Sequence, residues 1–189
     1  MEPNEVKSEK QESFFKETLR FAIITLVIVV PIRLFIAEPF IVSGASMIPT
    51  FENGDYLIVD RLSYNLSEPK RGDVIIFRYP RDPSKYFIKR IVGLPLETVD
   101  VLETTVTIKN KEYPNGFKLD QSYVVNLKPE KFSSILSSDE YFVMGDNRPQ
   151  SSDSRVWGTL PRKNIIGRAW LRLYPLNDID FLPGNHRTN

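Results

Sequence analysis

The 189-residue sequence contains no cysteine and only one histidine, His186, which lies three residues from the C-terminus among Pro183, Gly184 and Asn185. Without thiols, cysteine nucleophiles, disulfide frameworks and thiolate metal sites are excluded. A lone histidine at a chain end, where segments are normally loose, all but removes the imidazole base on which most serine nucleophiles depend. Charge of one sign is missing too. Twenty-five Lys and Arg against 24 Asp and Glu leave a formal charge of +1, so no global field recruits nucleic acid, which is not expected as a partner. Asp146 and Asp153 are too few for a calcium loop and lack its closing glutamate, so no metal is expected. Long hydrophobic runs are scarce: after one segment near the N-terminus, none approaches the length of a bilayer span.

What is present suits one packed domain with an appendage. Residues 1–18 are polar and mixed in charge, with Lys7, Lys10, Lys16 and the adjacent Arg20 interleaved with glutamates. Residues 19–37 then turn apolar, bracketed by Arg20 and Arg33. A membrane helix needs about 17 to 25 such residues, and a terminal arginine can snorkel to the headgroups. The stretch Ile36-Ala37-Glu38-Pro39 lacks the small-x-small pattern of a cleavable signal, so an uncleaved anchor is expected. Basic residues before the span keep the tail cytoplasmic and put the body, 38–175, outside.

In that body, short β-branched and aromatic runs alternate with Pro, Gly, Asn and Asp clusters: 56–59, 74–77, 86–92, 98–102, 104–108, 123–126, 141–144 and 166–173. The pattern predicts a mainly β, antiparallel fold with no long amphipathic helix. A tight hairpin turn is expected at 109–111. Residues 100–140, rich in turn formers and poor in chemistry, read as a small β insertion or lid, and 176–189 as a C-terminal tail.

Three stretches carry chemistry. In Ile41-Val42-Ser43-Gly44-Ala45-Ser46-Met47-Ile48-Pro49-Thr50, Ser46 follows directly on the anchor, and without His or Cys its base must be a lysine or a carboxylate. The strand Tyr86-Phe87-Ile88-Lys89-Arg90-Ile91-Val92 places Lys89 on one face between Phe87 and Ile91. If that face is the core side, burial disfavours the ammonium; at an ordinary pKa only roughly one lysine in 2,500 is neutral at pH 7. A surface lysine on a half-exposed strand is the competing reading. The third stretch, Met144 to Gly158, packs Asp146, Asn147, Arg148, Ser151, Asp153, Ser154 and Arg155 into a loop held by its own hydrogen bonds and ion pairs.

Taken in order, Ser43-Gly44-Ala45-Ser46-Met47-Ile48-Pro49-Thr50, Gly54-Asp55-Tyr56, Arg71-Gly72-Asp73-Val74, Tyr86 to Gly93, and Gly145-Asp146-Asn147-Arg148 through Gly158 resemble the bacterial type I signal peptidases. The run Arg33 to Pro39 looks most like cyanobacterial and thylakoid members. The resemblance implies a membrane-anchored serine endopeptidase of the plasma or thylakoid membrane that needs no cofactor. Its partners would be the lipid bilayer and signal-peptide-bearing precursors, cut after small-x-small motifs. It implies Ser46 as nucleophile and Lys89 as base, Ser151 hydrogen-bonded to the lysine, and Asp146, Asp153 and Arg155 supporting the loop. Some members carry a serine two positions before the nucleophile to bind the oxyanion. Here that position is Gly44, leaving the Ser46 backbone N–H and the displaced Ser43 as candidates. Met47 and Ile88, beside the pair, are candidate pocket walls. A self-cleaving Ser/Lys regulator would need an internal cleavage sequence and a DNA-binding domain, and neither is visible.

Overall fold

The β-branched runs fold into two antiparallel sheets in a structure, a computed structural model, that describes residues 4–31 and 37–185. Strands β1 (Ala37–Ile41), β2 (Tyr56–Asp60), β3 (Val74–Tyr79), β4 (Asp82–Gly93), β9 (Glu140–Met144), β10 (Leu160–Pro161), β11 (Ile165–Tyr174) and β12 (Asp180–Phe181) make the larger sheet. Their order is β1-β2-β11-β3-β4-β9-β10, with β12 paired to β11. A second sheet holds β5 (Thr98–Glu103), β6 (Thr105–Lys109), β7 (Phe117–Lys118) and β8 (Glu130–Ile135) in the order β7-β6-β5-β8. Helices in this part are single turns, α2 (Ser63–Leu66) and α3 (Ser154–Trp157).

Strand alternation sends apolar residues to both faces of the larger sheet. One face packs Ile75, Phe77, Ile91, Val143 and Trp157 together; the other packs Val42, Met47, Phe51, Leu57, Val74 and Ile76. A third cluster, including Val99, Val101, Val106, Ile108, Leu119 and Phe142, joins the second sheet to the first. Burying one such side chain stabilises by about 1.5 to 3 kcal/mol.

Two local expectations are corrected and one strand was not foreseen. Residues 123–126 form no strand, because Asp120 and Gln121 fasten that segment as a turn: Asp120 Oδ1 accepts from Ser122 N at 3.0 Å and Gln121 Nε2 donates to the Thr104 carbonyl at 2.9 Å. The strand lies at Glu130–Ile135, whose alternating Lys, Ser and apolar residues fit a half-exposed edge. The hairpin after β6 closes not at 109–111 but through residues 110–116, with Ile108 opposite Phe117, since Pro114 cannot donate to the ladder.

The N-terminal unit is helix α1 (Asn4–Pro31), polar and charged as far as Arg20 except at Val6, Phe14, Phe15 and Leu19, and apolar from Phe21 to Val30. It covers residues 19–31 of the expected anchor. No helix among the described residues is long and apolar enough to cross a membrane. The remainder of the expected span at 32–36, and His186, lie outside the described residues.

Candidate active site

Ser46 sits in the connection from β1 to β2, a loop whose ends are tied by Val42 N to the Asp55 carbonyl and Gly54 N to the Val42 carbonyl, both at 2.9 Å. A helical turn follows the serine, with Phe51 N donating to the Met47 carbonyl at 3.0 Å. That turn sends Met47 and Phe51 into the core. Met47 is therefore not a pocket wall: it is almost completely buried among Val42, Leu57 and Val59. Asn147 clamps the serine from the far side. Its backbone N–H donates to the Ser46 carbonyl and its Nδ2 to the Ala45 carbonyl, each at 3.0 Å. The Ser46 N–H has no acceptor among the described residues.

Lys89 reaches the serine from β4. The register sets it opposite Ile75 and puts Ile91 opposite Val143, so the face that it shares with Phe87 and Ile91 is a core face, and the surface-lysine reading fails. Only 4% of Lys89 is exposed. Nζ donates to Ser46 Oγ and to the Ile88 carbonyl, both at 2.7 Å, and lies 5.5 Å from the Phe87 ring centroid. Burial pushes the ammonium pKa down from 10.5 to about 8, against the opposing pull of the Asp153 and Asp146 charges.

Arg90, the next residue, points to the opposite face and is fully buried. Its guanidinium holds Asp146 through Nε at 2.8 Å and Nη2 at 2.6 Å, and Thr50 Oγ1 donates to the same carboxylate at 2.5 Å. One ion pair thus joins the lysine strand, the serine turn and the acidic loop. Arg155 grips Asp153 with two bonds of 2.8 Å and reaches Glu130 of β8 at 2.6 Å. Burial alone would raise the Asp153 carboxyl. The Arg155 bonds and charge, then Ser151 and the Gly145 N–H, override it and hold the carboxyl below the usual range.

Ser151 departs from expectation. It makes no hydrogen bond to Lys89, whose bonds go to Ser46 and Ile88. It leaves the 3-10 turn Arg148–Gln150 in extended conformation, with Oγ packed against the Cα of Gly145. Buried there, Oγ makes no well-directed hydrogen bond, and its polar influence falls on Asp153. A Cβ on Gly145 would lie 2.3 Å from Ser151 Oγ and 2.5 Å from the Ser46 carbonyl oxygen, so only glycine lets the three chains approach.

Ser46 and Lys89 open onto a cleft of about 270 Å³. Phe40, Val42, Ile76, Phe87 and Ile88 supply apolar wall, and Ser43, Gln150 and Ser152 supply polar edge. Ile88 lies in the apolar wall and Ser43 in the polar edge, and neither is hydrogen-bonded to the pair's Ser46 hydroxyl through its side chain. Asn147, Thr50 and Arg90 were not foreseen as site residues. Arg90 had a signal, since it alternates between Ile88 and Val92; the other two had none, because their partners lie far along the chain.

A serine hydroxyl hydrogen-bonded to a buried, pKa-depressed lysine at the mouth of an apolar cleft has the layout of a serine hydrolase. The profile of the family described as "Signal peptidase, peptidase S26" matches residues 15–174. "Probable signal peptidase I-1" of Synechocystis is 38% identical over 170 residues, 86% of this chain and 84% of its own. "Signal peptidase I" of Leptolyngbya laminosa is 39% identical over 181 residues, 89% and 84% respectively. A solved signal peptidase I of Enterococcus faecalis is 32% identical, with a TM-score of 0.47 over 54% of this chain and 97% of that one. The chain belongs to the type I signal peptidases, the S26 serine peptidases, and has cyanobacterial relatives.

Proposed function

We propose that this chain is a membrane-anchored endopeptidase that removes signal peptides from exported precursors, with Ser46 as nucleophile and neutral Lys89 as general base. The observation that carries the reading is the 2.7 Å contact between Nζ and Oγ at a lysine whose pKa is lowered to about 8. At pH 7 about one-tenth of such lysines are neutral, against roughly one in 2,500 in water. Lys89 takes the Oγ proton as the alkoxide attacks the scissile carbonyl. The oxyanion forms against the free Ser46 N–H, with the Ser43 hydroxyl as second donor. The ammonium returns its proton to the departing amine, and the neutral lysine then activates water to release the acyl group.

The modest cleft and its apolar wall of Val42, Phe87 and Ile88 suit small side chains at the positions one and three before the cut. Residues 19–37 anchor the enzyme, with the basic tail on the cytoplasmic side and the β body outside. Asp146, Asp153 and Arg155 support the loop beneath the pair.

The test is incubation of the detergent-solubilised full chain with a precursor carrying an Ala-x-Ala site, followed by sequencing of the new N-terminus. The expected product begins directly after the second alanine, and kcat/KM rises with pH through about 8 as Lys89 loses its proton. Ser46→Ala and Lys89→Arg give no product, since arginine stays protonated at every relevant pH. An active Lys89→Arg enzyme would sink the dyad. Release of the full chain from membranes by alkaline extraction would sink the anchor.

A further inference from the structure

Residues 176–185, expected as part of a loose tail, are ordered around the serine turn. After the 3-10 turn Leu176–Asp178, β12 pairs with β11, setting Phe181 opposite Leu171 and Asp180 opposite Arg172. Leu182 N then donates to the Trp170 carbonyl at 2.7 Å, and Asn185 N to the Leu182 carbonyl at 3.0 Å. Pro183 is buried.

Two buried arginines bridge this segment to one residue, Thr50. Arg172 donates from Nη1 to the Thr50 carbonyl at 3.0 Å and to Asp55 Oδ2 at 3.3 Å. Its Nε donates to the Asp178 carbonyl at 2.8 Å, and its Nη2 pairs with the Asp178 carboxylate at 3.1 Å. Arg90 donates from Nη1 to the carbonyls of Gly184 and Gly72, while its Nη2 lies 3.4 Å from Thr50 Oγ1. Gly184 also meets Thr50 directly. Its φ is +74°, and a Cβ there would lie 2.4 Å from the Thr50 methyl. The carbonyl, hydroxyl and methyl of Thr50 are therefore all held, and Thr50 is in the turn closed by Met47 and Phe51 immediately after Ser46.

We infer that the segment 176–185 is a strap that positions the Ser46 turn through Thr50, with Gly184 and Arg172 as positioning residues for the reaction. This rests on the reading of Ser46 as nucleophile. Proton transfer and attack tolerate little misplacement of Oγ relative to Nζ, and displacement by about 1 Å can cost about 100-fold in rate. The strap touches neither the cleft nor Lys89, so it acts on kcat and leaves substrate binding alone.

A double-mutant cycle on precursor cleavage tests this, with kcat, KM and melting temperature read for each variant. Gly184→Ala drives its new methyl into the Thr50 methyl. Expected is a fall in kcat of about 10- to 100-fold with KM changed less than about 2-fold. In the Thr50→Ser background the struck methyl is gone, and Gly184→Ala then costs less than about 3-fold in kcat. Its melting temperature stays lowered in both backgrounds, because the positive φ strains any alanine there. Equal kcat losses in the two backgrounds, or a loss confined to melting temperature, would overturn the strap. Should Gly184→Ala not fold, Arg172→Lys serves: it keeps the charge beside Asp55 but cannot hold Thr50 and Asp178 at once. A kcat reduced at unchanged KM is expected, and a wild-type kcat overturns the inference. If the unmodified enzyme cleaves and Ser46→Ala does not, the reading of Ser46 stands whatever the strap variants do. An unmodified enzyme that cleaves nothing overturns that reading and the strap with it.

Discussion

The two sheets differ in where their ion pairs are buried. Around the larger one, beside exposed pairs such as Lys85 with Asp82, three pairs are buried: Arg90 with Asp146, Arg155 with Asp153, and Arg172 with Asp55 are nearly or fully removed from solvent. The smaller sheet has an apolar core, and the pairs made between its own strands and turns, Lys109 with Asp100 and Lys128 with Glu130, are partly exposed. An inward pair, Arg71 with Glu97, lies where the sheets join. Burying two charges costs several kcal/mol per ion, and a buried pair often stabilises no better than apolar residues of the same volume. The buried pairs are therefore explained by geometry more than by stability. Two of the three, Arg90 with Asp146 and Arg172 with Asp55, tie distant segments to the strand of Lys89 and the loop of Ser46, while Arg155 with Asp153 braces the loop within itself.

Breaking that contrast on its buried side has the largest expected effect. Asp146→Ala leaves the fully buried Arg90 without its partner and should cost about 3 to 5 kcal/mol in urea unfolding. A cost below about 1 kcal/mol would mean that water already reaches the pair.

Lys89→Met sharpens the comparison, because Lys89 is a buried cation with no carboxylate bonded to it. Its folded pKa, about 8, lies below its ordinary 10.5. Between those values the unfolded chain holds a proton that the folded one lacks, so this group makes stability rise with pH across the window. Below pH 8 the full penalty applies. Lys89→Met should therefore be inactive yet more stable at pH 7 by up to about 3 kcal/mol. The gain should shrink as pH climbs from 8 towards 10.5. Denaturant titrations at several pH values read it, and a gain independent of pH would mean that Lys89 is not a strained cation.

The smallest effect belongs to the exposed pair. Lys109→Ala should change stability by no more than about 0.5 kcal/mol, with kcat and KM unaltered. A loss comparable to that of Asp146→Ala would erase the distinction between the sheets.

Local chemistry was sufficient for a good part of the fold and the site. β-branched runs marked β2, β3, β5, β6, β9 and β11, and period-two alternation put Lys89 on one face with Phe87 and Ile91 without deciding that this face was buried. The lack of cysteine, and of histidine except at the chain end, turned attention to a lysine or a carboxylate as the partner of Ser46. Legibility failed where local preference met a tertiary demand. Val124 and Val125 favour a strand, but side-chain bonds of Asp120 and Gln121 hold a turn around them. Glu130–Ile135, only half apolar, became a strand by pairing with β5 along its whole length.

By itself the sequence determined the mainly β composition and the placing of Lys89 on one strand face with Phe87 and Ile91, and it marked Ser46 and Lys89 as candidates. Tertiary structure alone decided that Met47 turns inward, that Ser151 packs against Gly145 and not Lys89, and that Asn147 and Thr50 hold the serine turn. The reason is one of distance along the chain. Alternation and propensity act between near neighbours, whereas Asn147 meets Ala45 across 102 residues and Arg172 meets Thr50 across 122. Those meetings exist only because β11 is inserted between β2 and β3 and β9 lies beside β4.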